Sequence, residues 1–292
     1  MQIITTNQED RITQHMMNLL LSPLTKASYR SAVEAFLSWV YTTRPGSPVE
    51  AVASYRNHLL DLGLAPATCN RMLSAVRRWF DAAASLGVLT DVELASIKNV
   101  ENVKQQGKKV GTWLSAEEAQ TLLSTLPTDT LEDLRDRAIM TVFLGVGMRI
   151  DEVTHLKWEH LDQLDGVWVF RNIQRKHHRI QTIRIPEWVA AVLNQYGDAL
   201  PVKNEYVFVS CSKANSGSNL TNRAVYNIVK RYTDVAPHQL RKTWSALAYK
   251  GGASVREIQQ QLGHKSIKAT EIYLEDIKAV QNNAVNMTGI GL

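Results

Sequence analysis

The chain has 292 residues, 45% hydrophobic and 21% charged, enough core for one large domain or two ordinary ones and too apolar for a disordered chain. Its net charge of +5 is compatible with a nucleic-acid partner without requiring one. Two distant cysteines exclude a disulfide framework and point to a reducing, cytoplasmic compartment, and the longest apolar run, AIMTVFLGVGM, is too short for a bilayer, so no membrane partner is expected.

In chain order, the first hundred residues read as helices. Thr25 is taken as the cap of KASYRSAVEAFLSWVY, whose Tyr29, Val33, Phe36, Leu37 and Val40 follow helical spacing. Ser47-Pro48 opens the next helix, with proline at its first position, and Gly63 ends it. A third runs from about Pro66 to near Gly87 and carries Arg71, Arg77 and Arg78. These arginines are either a solvated face or a set of contacts to phosphates. The segment 101–112, with Lys104, Lys108 and Lys109, lacks apolar periodicity and reads as a basic linker. It places a helical domain at 1–100 and a second domain at 113–292.

The second domain opens on SAEE, a capping-box pattern starting at Ser115. LEDLRDRAIMTVFLG reads as a helix closed by Gly145. GVWVFRN and QTIRIP are β-rich runs around a long basic loop, IQRKHHRI, and together predict a hairpin. YVFVS is a candidate further strand and LTNRAVYNIVKRYT a helix. Trp158, Trp168, Trp188 and Trp244 are assigned to the core. The expected fold class is mainly α with a small β-sheet.

The densest chemistry lies near the C-terminus. Pro237 opens a helix that Gly251-Gly252 stop, so His238 and Arg241 lie one turn apart on one face. SVRE caps the next helix, Gly263 ends it, and His264 follows at once. Ser266 caps a further helix that carries Tyr273. Arginine binds phosphate through two parallel hydrogen bonds. Histidine donates to a phosphoryl oxygen or moves a proton near neutral pH. A tyrosine that loses its proton in a cationic site is a covalent nucleophile. The set suits attack of a phenolate on a phosphodiester whose charge arginines neutralise, with no metal. The adjacent His177 and His178 lack the carboxylate or cysteine partners of a metal site and read as part of the basic hairpin.

At these residues the chain resembles a known family. PHQLRKTWSALAYKGGASVREIQQQLGHKSIKATEIYLEDI is similar to the C-terminal signature of the tyrosine recombinases, the phage-integrase-like enzymes: His-x-Leu-Arg, then Leu-Gly-His, then a tyrosine nine residues after the second histidine. GMRIDEV supplies the family's first arginine as Arg149, with Glu152. FRNIQRKHHRIQTIRIP offers Lys176 for the family's hairpin lysine, with Arg175 and Arg179 as competitors. TKASYRSAVEAFLSWV and APATCNRMLSAVRRWFDAAASLGVL resemble, less specifically, the helical core-binding domain.

The resemblance implies a helical core-binding domain and an α+β catalytic domain that clamp duplex DNA. It implies that Arg149 and Arg241 hold the scissile phosphate, His264 donates to a non-bridging oxygen and His238 assists proton transfer. Lys176 would protonate the departing 5′ oxygen, Tyr273 would form a 3′-phosphotyrosyl link, and Glu152 would orient its neighbours. Arg71, Arg77, Arg78, Lys104, Lys108, Lys109 and Arg175 are the expected DNA contacts. The implied partners are double-stranded DNA with paired inverted-repeat sites, three further copies in a synaptic tetramer, and accessory DNA-bending proteins. No nucleotide cofactor or metal is expected, because the phosphotyrosyl bond stores the energy. The tail after Tyr273 reads as packing on its own domain or docking on a neighbouring protomer. No arm-binding domain is read at the N-terminus, which fits a simple recombinase in integration, excision or resolution of a mobile element or replicon. A type IB topoisomerase and a DNA-binding regulator without catalysis are the alternatives.

Overall fold

The computed structural model describes residues 6–104, 113–175, 179–212, 216–268, 270, 271 and 274. Lys108, Lys109, Lys176, His177, His178 and Tyr273, and the tail after residue 274, lie outside them. The chain divides into two compact units, Met1–Lys108 and Lys109–Leu292.

In the first unit the described residues form α1 (Thr6–Leu19), α2 (Pro23–Thr43), α3 (Pro48–Asp61), α4 (Pro66–Ser85) and α5 (Asp91–Lys98). Ser22, not Thr25, caps α2: its hydroxyl accepts from Thr25 N at 3.4 Å, and Pro23 takes the first helical position. Ser-Pro thus starts α2 as it starts α3. α1 was not expected. Its polar sequence hides Ile12, Met16 and Met17, which are buried on one face, and Thr13 accepts from Trp79 Nε1 at 3.0 Å. α4 is the axis of this core, burying Cys69, Leu73, Val76, Trp79, Phe80 and Ala83. Burying each large apolar side chain contributes roughly 1.5–3 kcal/mol.

Residues 101–104, expected to be linker, are fastened to this unit. Asn70 brackets Val103, donating to its carbonyl at 2.9 Å and accepting from its N–H at 2.8 Å. Arg77 donates to Val100 O at 2.5 Å and to Asn102 Oδ1 at 2.8 Å.

The second unit contains α6 (Ala116–Thr125), α7 (Leu131–Val146), α8 (Ile150–Thr154), β1 (Leu161–Leu164), β2 (Val167–Arg175), β3 (Arg179–Arg184), α9 (Glu187–Ala199), α10 (Asn222–Tyr232), α11 (Pro237–Lys250) and α12 (Val255–Leu262). The sheet is antiparallel in the order β1-β2-β3. The fold is therefore mainly α with a small three-stranded sheet. β1 was not anticipated, and YVFVS makes only isolated bridges, Lys157–Tyr206 and Val209–Asn219. The strands run deeper into IQRKHHRI than its composition suggested, pairing Arg175 with Arg179.

α7 is buried along most of its length, with Ala138, Ile139, Met140, Val142 and Phe143 inaccessible. Gly145 does not end it. It lies inside the helix, where a Cβ would come within 2.5 Å of Val189 and 2.8 Å of Trp188 on α9. The terminator is Gly147, whose φ of 72° is left-handed. Trp188, assigned to the core, is 47% exposed.

Candidate active site

Three chain reversals in the second unit bring the charged residues together. At the first, Gly147 ends α7 and Arg149 occupies the cap position of the five-residue α8. Glu152, in the first turn of α8, accepts from Arg149 N at 2.8 Å through one oxygen and from Arg149 Nη1 at 2.7 Å through the other. At the second, β2 ends with Arg175, whose Nη1 donates to Glu152 Oε2 at 2.5 Å. At the third, Pro237 starts α11, so that Arg241 enters buried from its second turn while His238 stays exposed on the first. Arg241 Nη1 lies 3.7 Å from Glu152 Oε2. One carboxylate therefore joins arginines from three elements.

The C-terminal ends of two helices fix Arg241. Its Nη1 donates to Gly147 O and its Nη2 to Leu262 O, each at 2.6 Å. One turn later, Trp244 Nε1 donates to Gly145 O at 3.2 Å. These bonds occupy carbonyls that the ends of α7 and α12 leave without helical partners. Gly147 must be glycine twice over: its φ is positive, and a Cβ would meet the Trp244 ring at 2.8 Å.

His264 follows Gly263, whose left-handed φ of 64° turns the chain out of α12. Its backbone is pinned by Gln259, through His264 N to Gln259 O at 3.1 Å and Gln259 Nε2 to His264 O at 3.2 Å. Its ring spans Arg241 Nη2, 3.4 Å from Nε2, and Thr270 Oγ1, 2.9 Å from Nδ1. Burial, with Arg241, Arg149, His238 and Arg175 around it, pushes its pKa down to about 4. The ring is thus neutral at pH 7. An arginine N–H facing Nε2 then places the ring proton on Nδ1, donating to Thr270. Burial alone would raise Glu152, but Arg175, Arg149 and Arg241 outweigh it and hold the carboxylate below its ordinary value.

The arrangement brings together Arg149, Glu152, Arg175, Arg241 and His264. Two residues here were not singled out in the sequence. Thr270, fully buried, has only a hydroxyl to mark it. Gln261 donates to Arg184 O at 3.1 Å, and nothing in its spacing distinguishes it from its neighbouring glutamines. Arg175, expected as a DNA contact, is instead 6% exposed and committed to protein acceptors. Its position two residues after the buried Ile173 was the available signal.

The three arginines expected to contact DNA from the first unit also have protein partners. Arg71 donates to Ser28 Oγ at 2.6 Å, Arg77 holds the 100–102 segment, and Arg78 lies 3.7 Å from Asp81. Arg71 and Lys104 remain exposed.

Chemically, the group is a cationic recess. Guanidiniums and a neutral imidazole gather there, and the guanidiniums suit a phosphate. The sequence pattern that describes the phage integrase family matches residues 112–279. The tyrosine recombinase XerA of Thermococcus kodakarensis is 27% identical over 272 residues, covering 90% of each chain. The tyrosine recombinase XerD of Lacticaseibacillus casei is 27% identical over 270 residues, covering 87% of this chain and 88% of that one. Among solved structures, a XerH recombinase bound to a palindromic difH substrate in a post-cleavage complex matches with a TM-score of 0.73 at 20% identity, over 98% of this chain and 85% of that one. A lambda integrase dimer bound to a COC′ core site matches at 0.69 and 19%, over 92% and 76%. At such identities the two structures speak for the fold.

Proposed function

The chain belongs to the phage integrase family and is a site-specific tyrosine recombinase, an enzyme that breaks and rejoins DNA; from that premise we propose how its own residues carry the reaction. Arg149 and Arg241 hold the non-bridging oxygens of the scissile phosphate and stabilise the charge that grows on them in the transition state. The phosphate's charge offsets the surrounding guanidiniums, which favours protonation of His264, and Nε2–H then donates to a non-bridging oxygen. Tyr273 Oη attacks phosphorus, its proton passing to His238. The P–O5′ bond breaks, Lys176 gives the leaving oxygen its proton, and a 3′-phosphotyrosyl bond remains. A 5′-hydroxyl from the partner strand reverses these steps. Glu152 keeps the arginines aligned.

The observation that carries this reading is the sharing of Glu152 by Arg149, Arg175 and Arg241, with His264 3.4 Å from Arg241. That surplus of positive charge suits a phosphodiester. The partners we infer from the family are double-stranded DNA with paired inverted repeats, and four copies of the chain to exchange two pairs of strands. The tail after Tyr273 docks on a neighbouring protomer, and DNA-bending proteins assist. Arg71 and Lys104 of the first unit add phosphate contacts, so binding weakens with salt. The biological setting is integration, excision or resolution of a mobile element or replicon.

Covalent trapping tests this. Wild-type protein and Tyr273→Phe are offered nicked duplexes drawn from DNA around the gene. The expected result is an adduct on denaturing gels with wild type only, while Tyr273→Phe still binds on native gels. Specific binding with no adduct from either protein would instead indicate a regulator. Relaxation without exchange between two duplexes would indicate a topoisomerase.

A further inference from the structure

Arg175 ends β2 and immediately precedes Lys176 in the chain. Its guanidinium reaches two elements at once, donating from Nη1 to Glu152 Oε2 at 2.5 Å and from Nη2 to Gln261 O at 2.8 Å. Two further bonds tie the same hairpin to the last turn of α12. Gln181 Nε2 donates to Gln260 O at 2.6 Å, and Gln261 Nε2 donates back to Arg184 O at 3.1 Å. Both strands of the hairpin are therefore strapped to the end of the helix that delivers His264. Gly263 leaves room for the strap: a Cβ there would lie 3.1 Å from Arg175 Nε and 3.2 Å from its Cδ.

A guanidinium suits this place and is wrong for one other. Its planar fork meets two acceptors in different directions, which a single ammonium does less well. It stays protonated, so it is not the acid that serves the leaving group. Its side chain is 2% exposed, with both terminal nitrogens on protein acceptors.

We propose that Arg175 is a positioning residue for the leaving-group step: it fixes the end of the β2–β3 hairpin against Glu152 and α12, so that the acid carried by the hairpin meets the departing 5′ oxygen. This rests on the reading above in which the hairpin supplies that acid.

The test compares two substrates. A duplex bearing the site of the wild-type adduct is made with the ordinary bridging 5′ oxygen and again with sulfur in its place. Thiols are far more acidic than alcohols, so sulfur departs as the thiolate without a proton from the enzyme. Arg175→Met and Arg175→Lys are expected to bind DNA but to cleave the oxygen substrate about 100-fold more slowly or worse. On the sulfur substrate most of that loss is recovered. Equal loss on both substrates would overturn the proposal, because Arg175 would then serve the phosphate through Glu152. Wild-type cleavage of the oxygen substrate by Arg175→Lys would also overturn it, since charge without the fork would suffice.

Lys176→Ala, run beside them, separates the two readings. If it stays slow on both substrates while Arg175→Met recovers on sulfur, Lys176 is not the acid but Arg175 still positions the group that is. Hydrogen exchange without DNA gives a second readout. In Arg175→Lys, protection is expected to fall in 167–184 and 258–264 and to hold in α7. Unchanged protection in the hairpin would overturn the proposal.

Discussion

Asp136 and Glu152 are both buried carboxylates held by arginines, at 0% and 7% exposure. Around Asp136 the charges balance. Arg135 Nη2 lies 2.7 Å away and Arg231 Nη1 3.2 Å, while Glu132 pairs with the same two arginines at 3.4 and 2.9 Å. Tyr232 adds a hydroxyl at 3.2 Å. Burial still wins there and pushes the Asp136 carboxyl up. Around Glu152, three guanidiniums share one carboxylate, and its pKa is driven down. The first group is closed on itself and joins α7 to α10. The second retains surplus positive charge for an anion from outside. Similar residues, counted differently, make a fastening in one place and, in the function proposed above, a receptor in the other.

Arg149→Ala tests the receptor side most strongly. Its side chain is 23% exposed, so folding is expected to survive while adduct formation falls about 1000-fold, or ~4 kcal/mol in the barrier. Single-turnover trapping reads the rate and a thermal melt the stability. Asp136→Asn tests the fastening. It takes the buried carboxylate from Arg135, leaving Glu132 at 3.4 Å, and should cost about 3 kcal/mol in urea unfolding. Below the denaturation range its adduct rate should match wild type; a matching loss of rate would mean the two groups are not separate devices.

His264 sharpens the contrast through pH. With a folded pKa of about 4 against an ordinary 6.5, the unfolded chain takes up the proton first. Its contribution to stability is intact above 6.5 and is lost as pH falls towards 4. Melting temperatures of wild type should therefore drop more steeply over that window than those of His264→Gln. The smallest effect is at the rim of the balanced group. Arg231 is 54% exposed, and Arg231→Ala should cost about 1 kcal/mol or less with no change in adduct formation.

The sequence revealed most where local rules act alone. Ser47-Pro48, the Ser115 capping box and the Gly263 exit are set by backbone chemistry within a few residues, and the structure has all three. Arg241 and His264 stood out as residue types beside helix ends, and Arg149 through the resemblance of GMRIDEV to the family's first arginine segment. What was missed depends on distant partners. α1 holds its few apolar residues against α4, so its own sequence reads as polar. Gly145 looked like a stop because glycine often is one, but α9 demands it for closeness. Arg175 looked like one more cation in a basic loop. Only its place two residues after Ile173 set it apart, and the irregular register between Phe170 and Ile173, with Asn172 at a φ of 55°, leaves that alternation just two residues long.

The shared carboxylate also dictates when the recess comes into being. Arg175 reaches Glu152 across 23 positions of chain, but Arg241 must return 94 positions to Gly147 O. Closing the longer loop costs more entropy, and contacts between distant residues form late in folding. Leu262 O, the other acceptor of Arg241, is a further 21 positions on. Glu152 and Arg149, three positions apart, can pair within one turn of chain, whereas the full set of contacts to Arg241 cannot close until α12 has been made.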